Sequence, residues 1–279
     1  MSAAAPLSGR AQVALATPAL ILLVLFFALP IATLVVDAFT GGGAFARIFA
    51  LPRFWSSLAG SVILTAVAVC VSLSVGVAGA LHLSRLPERR RTLWSFVIAL
   101  PLTFSGLIVA YGFILVYGRA GFVTQLLAMA GADASVIGKV LFTPIGLAFA
   151  SSYYLIPRVV IALLPVFVNF DRAQIAAAES LGATARQAFV QVMLPQIAGP
   201  VVGAGCLIAA VVFGAYGTAL ALVGTNLEIL PLQLYTLISE SGSDFPAAAA
   251  LALLITAACS VVLTGGEWIT SRHERHLQA

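Results

Sequence analysis

The chain has 279 residues, of which 61% are hydrophobic and only 9% charged, with a mean hydropathy of +1.09. Soluble domains carry about 25% charged residues, so water is excluded as the principal solvent. The net charge of +4 is carried by basic residues scattered between apolar runs, which excludes a nucleic-acid footprint and fits orientation signals at a membrane.

Six apolar runs have the length of about 20 residues that a bilayer crossing needs: residues 13–36, 58–83, 94–117, 140 to about 164, 197–224 and 247 to about 269. Each is apolar on all sides, as expected where lipid and neighbouring helices share the helix surface. The first is longer than the apolar region of about 7–15 residues in a secretory signal, so it is expected to stay as a membrane helix. Residues 40–57 are predicted to form a flexible loop with a short interfacial helix. Their Gly41-Gly42-Gly43 run lacks the Gly-Lys-Ser or Gly-Lys-Thr ending of a phosphate-binding loop.

Residues 84–92 carry Arg85, Arg89, Arg90 and Arg91 and read as a compact charged anchor at the headgroups. The third run holds Pro101, Thr103, Ser105, Gly106, Tyr111, Gly112 and Tyr117, a row of small, polar and kink-prone positions suited to a solute path. In the fourth, Arg158 follows Pro157, with Tyr153 and Tyr154 just before. An intramembrane guanidinium is costly enough to suggest function, although a long arginine side chain can also reach the interface.

Residues 169–195 are too polar to cross a membrane and rich in helix formers. Asp171 with Gln174, and Thr184 with Gln187, have the residue types of capping boxes, and Gly182 between them can close the first helix at positive φ. A bent pair of short helices is predicted. Ile175, Ala178 and Leu181 recur at three-residue spacing, with Phe189 and Met193 continuing an apolar edge. The fifth run contains Phe213-Gly214-Ala215-Tyr216-Gly217-Thr218, where close glycines weaken the helix and allow tight approach of a neighbour or a ligand. Gly199 and Gly203 have the spacing of a simple helix contact.

With both ends inside, the inner side collects Arg10, Arg85, Arg89, Arg90, Arg91, Arg172, Arg186, Arg272 and Arg275, against Arg47, Arg53, Arg119 and Lys139 outside. That bias predicts cytoplasmic termini. Glu228, Glu240 and Asp244 then fall in the last external loop. Cys70, Cys206 and Cys259 sit singly in apolar runs as packing residues, and His82, His273 and His276 lack partners spaced as metal ligands. No metal site or catalytic residue is predicted.

The register running from Ala176-Ala177-Ala178 through Gly182 and Ala183 to Val192-Met193-Leu194-Pro195 resembles the signature of ABC importer permeases of MetI-like fold. That signature has a Glu-Ala-Ala triplet, a glycine four positions on, and a hydrophobic-x-Leu-Pro ending, in the loop before the penultimate span. The resemblance implies an all-α polytopic protein with six transmembrane helices. It implies one permease domain over 1–279, with its core at about 58–270 and a cytoplasmic coupling helix pair at 171–195. Ala176, Ala177, Ala178, Glu179, Gly182, Ala183, Leu194 and Pro195 would be the ATPase-coupling residues. Ala176 stands where the family has glutamate, and Glu179 lies one turn away.

The implied partners are a cytoplasmic ATPase dimer that holds the ATP and magnesium, a second permease, a periplasmic or lipid-anchored solute-binding protein, and membrane lipid. No cofactor or nucleic acid is expected on this chain. The site would be a bacterial inner membrane. Leu-Pro-Leu-Thr-Phe-Ser-Gly in the third run, and Leu230-Pro-Leu-Gln-Leu-Tyr235 with Asp244-Phe-Pro further on, resemble the polyamine, phosphonate, sulfate and iron branches, with polyamine the first expectation and thiamine also open. Thr103, Ser105, Tyr111, Tyr153, Arg158, Gly214, Tyr216 and Gly217 are the translocation-path candidates. An ion-coupled carrier would need inverted repeats and midplane ionisable groups, and an intramembrane protease a nucleophile beside a base; neither pattern is convincing.

Overall fold

Long runs of Leu, Val, Ala, Ile and Phe give the backbone no water to bond, so each run must close its own N–H to C=O ladder as a helix. The computed structural model describes residues 17–40, 42–131, 133–239 and 244–278, and all regular structure in them is helical. Side chains at 135, 226 and 273–278 lie outside the description, as do Arg10, Gly41, Glu240 and the predicted start of the first run at residue 13.

The first crossing, α1 (Thr17–Thr40), contains a π turn at Val24–Ala28. The short helix α2 (Ala44–Ala50) follows, and then α3 (Pro52–Ser84), which begins six residues earlier than predicted because Pro52 supplies a pre-set φ in the first turn. A basic turn leads to α4 (Glu88–Ala99). The third crossing then departs from the single span expected at 94–117. Pro101 lies in a 3-10 turn, Leu100–Thr103, and the chain restarts at Ser105 as α5 (Gly106–Tyr117). After a turn at 118–121 it runs on as α6 (Phe122–Met129), so that the apolar stretch extends over Gly106–Met129.

The helix α7 (Ala134–Val140) precedes the fourth crossing, α8 (Pro144–Asn169), which Thr143 caps. The helix α9 (Ala173–Ser180) precedes the fifth, α10 (Ala185–Phe213). That helix stops at Phe213, not residue 224 as predicted; α11 (Gly217–Val223) is a separate piece. The helix α12 (Leu230–Ser239) folds back among the crossings, with its Leu230, Leu232, Gln233 and Thr236 buried. The sixth crossing lies in α13 (Phe245–Gln278).

The centre of the bundle is α8, half of whose apolar window is buried. It packs on α3 along a row of small residues, Ala68, Ser72, Gly76 and Ala80, spaced one turn apart and all buried. A Cβ at Gly76 would lie 2.5 Å from that of Val159, so the two backbones meet as closely as side-chain volume permits. Gly199 and Gly203 face Thr270, whose hydroxyl donates to the Gly199 carbonyl at 3.0 Å. Apolar side chains also face outward, as in a crossing surrounded by lipid: Leu20, Phe26 and Phe27 of α1 are more than half exposed.

Candidate functional site

Two regions depart from plain apolar helix: the polar bend at 171–195 and a cavity beside the broken third and fifth crossings.

In the bend, Asp171 does not form the box its spacing suggests. Its Oδ1 accepts from Ala173 N at 2.9 Å, and the helix begins after Arg172 without a side-chain cap. Gly182 has φ +93°. It lets Gly182 N donate to Glu179 O and Ala183 N to Ala178 O, the paired bonds that close a helix at a left-handed residue. The second box forms as predicted: Gln187 N donates to Thr184 Oγ1 at 3.3 Å and Thr184 N to Gln187 Oε1 at 2.8 Å.

A separate second helix is not formed. After Ala188 the backbone widens into a π turn, Phe189–Met193, in which Leu194 N bonds Phe189 O, and continues directly into the fifth crossing. That shift in register, just before Pro195, carries the helix past a residue with no N–H to donate. The bend is therefore the rigid end of a membrane helix.

One face of α9 is tied down: Ile175 packs against the central core and the Gln196 amide donates to Gln174 Oε1. The other face is free. Ala176, Ala177, Glu179 and Gly182 are exposed, and Leu181, predicted to share the apolar face of Ile175 and Ala178, is 89% exposed at the tip. Ala183 is half-buried, Leu194 exposed and Pro195 half-buried in the continuation. An exposed leucine beside slim alanines offers a partner a knob and a close backbone approach.

The cavity, of about 360 Å³, is lined by Ser105, Gly106, Tyr154, Arg158, Gly217 and Thr218, with Leu102, Phe104, Leu107, Val211 and Ala215 completing its wall. Its geometry comes from two interruptions. Pro101 ends the helical ladder before α5, where Ser105 Oγ accepts from Ile108 N as N-cap; Gly214 to Tyr216 leave the helix between α10 and α11. Arg158 stands eleven positions before Asn169, the end of α8, roughly 16 Å at the rise of a helix, so its backbone lies well inside the apolar run.

Three predicted path residues, Ser105, Arg158 and Gly217, thus share one cavity. Tyr153 lines a neighbouring space of about 420 Å³ with Phe104, Phe113 and Tyr117, where Phe113 stands 5.6 Å from Tyr117 and 5.7 Å from Tyr153 between ring centroids. Gly214 and Tyr216 line another, beside Tyr235 and Pro231. Thr103 bonds back to Leu100 O, and Tyr111 is 56% exposed; neither lines these spaces. Tyr154, which the sequence pairs with Tyr153 as a path or packing residue, and Thr218, at the end of the glycine-rich stretch of the fifth run, complete the polar wall although neither is among the eight path candidates. The one sequence signal for Thr218 is its place directly after Gly217 in a small-residue break.

The family model for the binding-protein-dependent transport system inner membrane component matches residues 73–278. The spermidine/putrescine transport system permease protein PotB of Salmonella typhimurium is 29% identical over 157 residues, covering 56% of this chain and 54% of the relative. The match thus spans about half the length of that relative. Sulfate permease 2, chloroplastic, of Chlamydomonas reinhardtii is 30% identical over 247 residues, 88% of this chain and 64% of the relative. The sulfate transport system permease protein CysT of Salmonella typhimurium is 28% identical, covering 75% of each chain. Among solved structures, a chain of the bacterial alginate ABC transporter in complex with an alginate pentasaccharide-bound periplasmic protein superposes with a TM-score of 0.77 over 94% of each chain, at 17% identity. That likeness shows the fold.

Proposed function

The chain belongs to the family of binding-protein-dependent transport inner membrane components, and from that premise we propose that it is the permease subunit of an ATP-driven importer, forming half of a solute path. The observation that carries this is the bend at 171–195: a capped, exposed tip fused without a break to a membrane helix, inside the family match. A push on Leu181 and Gly182 is transmitted along α10 because the π turn keeps the backbone bonded through Pro195. The mechanical consequence is rigid-body rocking of the crossings between two states.

In this reading Ala176, Ala177, Ala178, Glu179, Gly182, Ala183, Leu194 and Pro195 form the contact and lever for a cytoplasmic ATPase dimer, which holds ATP and magnesium and does the only covalent chemistry. Both termini are cytoplasmic, the whole chain is one permease domain, a second permease completes the path, and a periplasmic or lipid-anchored binding protein delivers the solute. Similarity to PotB supports a polyamine solute, and similarity to CysT and to the chloroplast permease supports sulfate.

Purification from the native membrane tests the assignment: an ATPase and a second permease are expected to accompany the chain. In the assembled complex, Gly182→Pro forces φ from +93° to about −65°. It is expected to depress solute-stimulated ATP hydrolysis at least tenfold; unchanged hydrolysis in a complex that still assembles defeats the coupling role.

A further inference from the structure

The cavity beside the two broken crossings carries a charge pattern that similarity to known permeases does not decide. Resting on the permease reading, we infer that this cavity is a way-station for an oxyanion, and that the solute carries an anionic oxygen group and is not a polycation.

The first part of the case is the backbone. Ser105 Oγ takes Ile108 N and Ser105 O takes Val109 N, which leaves the N–H groups of Gly106 and Leu107 with no partner among the described residues. They open a helix of 12 residues, so the positive end of its dipole stands at the cavity wall. Amides at such an end bind anions and repel ammonium groups.

Thr218 is the second, independent part. It is 3% exposed and lines the cavity, yet its hydroxyl has no hydrogen-bond partner among the described residues. Threonine in a membrane helix ordinarily bonds back to the preceding turn, as Thr256 and Thr264 do here. Thr218 has no such turn behind it, since α11 begins at Gly217. A Cβ at Gly106 would overlap Thr218 Oγ1. The hydroxyl is thus held against the start of α5, beside the free amides.

Arg158 supplies the charge. It is half-buried, lines the same cavity, and has neither hydrogen bond nor ion pair among the described residues, where the one salt bridge is Arg47 with Asp244. No Asp or Glu lines the cavity or the neighbouring aromatic one. An uncompensated guanidinium in the apolar layer is costly, and an incoming oxyanion relieves that cost with charge-assisted hydrogen bonds. The aromatic rings next door could face an ammonium group, but on this chain's side of the path a polycation would meet Arg158 with no carboxylate in either lining to offset it. A space of about 360 Å³ accommodates a tetrahedral oxyanion with ease.

The test uses the chain as purified from its native membrane, in nanodiscs, with whatever subunits accompany it. Equilibrium binding is measured for labelled sulfate, phosphate and 2-aminoethylphosphonate, and for spermidine as the polycation. At least one oxyanion is expected to bind. Arg158→Gln should weaken it about tenfold or more, Arg158→Lys should recover part of the loss, and the near-isosteric Thr218→Val should weaken it about threefold to tenfold. Thr218→Val also reads the site should Arg158→Gln fail to assemble. Binding of spermidine alone, of none of the four, or of an oxyanion indifferent to both Arg158→Gln and Thr218→Val, overturns the inference. A preparation without an ATPase overturns the permease reading instead, whatever it binds, so the two failures are distinct.

Discussion

The polar bend at 171–195 and the cavity at Arg158 are both places where helix gives way, but they are held by different forces. The bend is local: a left-handed glycine, a Thr184–Gln187 box and a Gln174–Gln196 bond, all between residues within about two dozen positions. The cavity is assembled from afar, with Ser105, Arg158 and Thr218 brought together only by the packing of α5, α8 and α11. Local bonds can be removed one at a time with modest loss, whereas the cavity depends on helix contacts whose failure removes the whole bundle. Mutations that strike each kind of contact therefore test the distinction.

The largest effect is expected at the contact that seats α8. Gly76 meets Val159 with no room for a methyl group, and Val159 is itself fully buried. Gly76→Leu must separate α3 from α8, an overpacking cost of typically about 1–3 kcal/mol that a β-branched neighbour cannot relieve by changing rotamer. Loss of accumulated protein in the membrane, or a lowered thermal midpoint in detergent, is the expected result. Gly203→Ala, where the space beside Thr270 is ordinary contact distance, should be tolerated; equal damage from both would show that the α3–α8 seam is not special.

Next comes Gly182→Val. The site is open, with nothing within 4 Å of a Cβ, but its φ of +93° is unfavourable for a β-branched residue. A cost of about 1–2 kcal/mol confined to an exposed tip should leave the crossings folded while reducing solute-stimulated ATP hydrolysis about tenfold. Protein level separates the two regions: it falls for Gly76→Leu and holds for Gly182→Val.

The same division explains how much of the molecule its amino-acid order declares. Thr184 and Gln187, and Gly182 before them, signal their geometry through neighbours in sequence, so the turn itself is legible, whereas the continuity of the second half with the fifth crossing is not. The six crossings are legible too, because apolar runs integrate over about 20 residues. That integration marks weak points without breaking the run. Pro101 and the Gly214-to-Gly217 break sit inside runs that stay apolar throughout, so each run reads as one span, while the structure makes separate helices. Asp171 misleads in the opposite way: its spacing to Gln174 suits a box, but the side chain closes a tighter turn on Ala173 N. Thr218 carries no signal of its own, since an unpaired hydroxyl is visible only when the start of α5 is placed against it.

Thr184→Ala sharpens the comparison at smaller scale. It removes the acceptor for Gln187 N and should cost about 1 kcal/mol, seen as faster amide exchange at residues 184–188 with the cavity unchanged. Gln187→Ala removes the reciprocal acceptor for Thr184 N and should loosen the same amides less. Exchange that spreads into α8 from either variant would mean that the bend is not the local unit described above.

The smallest effect concerns a pair that joins distant segments yet stays partly exposed. Arg47 Nε and Nη2 donate to the two oxygens of Asp244 at 3.1 and 3.0 Å, linking α2 to the start of α13. The Ala247 amide, and then the Arg47 guanidinium, hold the Asp244 carboxyl below its usual 3.8, against a partial upward push from desolvation. A lowered folded value means that protons bind the unfolded chain more readily. The stabilisation is then complete above the ordinary carboxylate value and is lost as pH falls through the folded one. With side chains 44% and 36% exposed, solvent screening limits it to about 1 kcal/mol or less. Thermal midpoints in nanodiscs should therefore drop slightly more on acidification for the native chain than for Asp244→Asn. Raising salt to about 1 M, where charges are screened beyond about 3 Å, should erase the share that Arg47→Gln also removes while sparing the share owed to Ala247 N. If salt abolishes the whole acid dependence, the ion pair and not the helix cap governs Asp244.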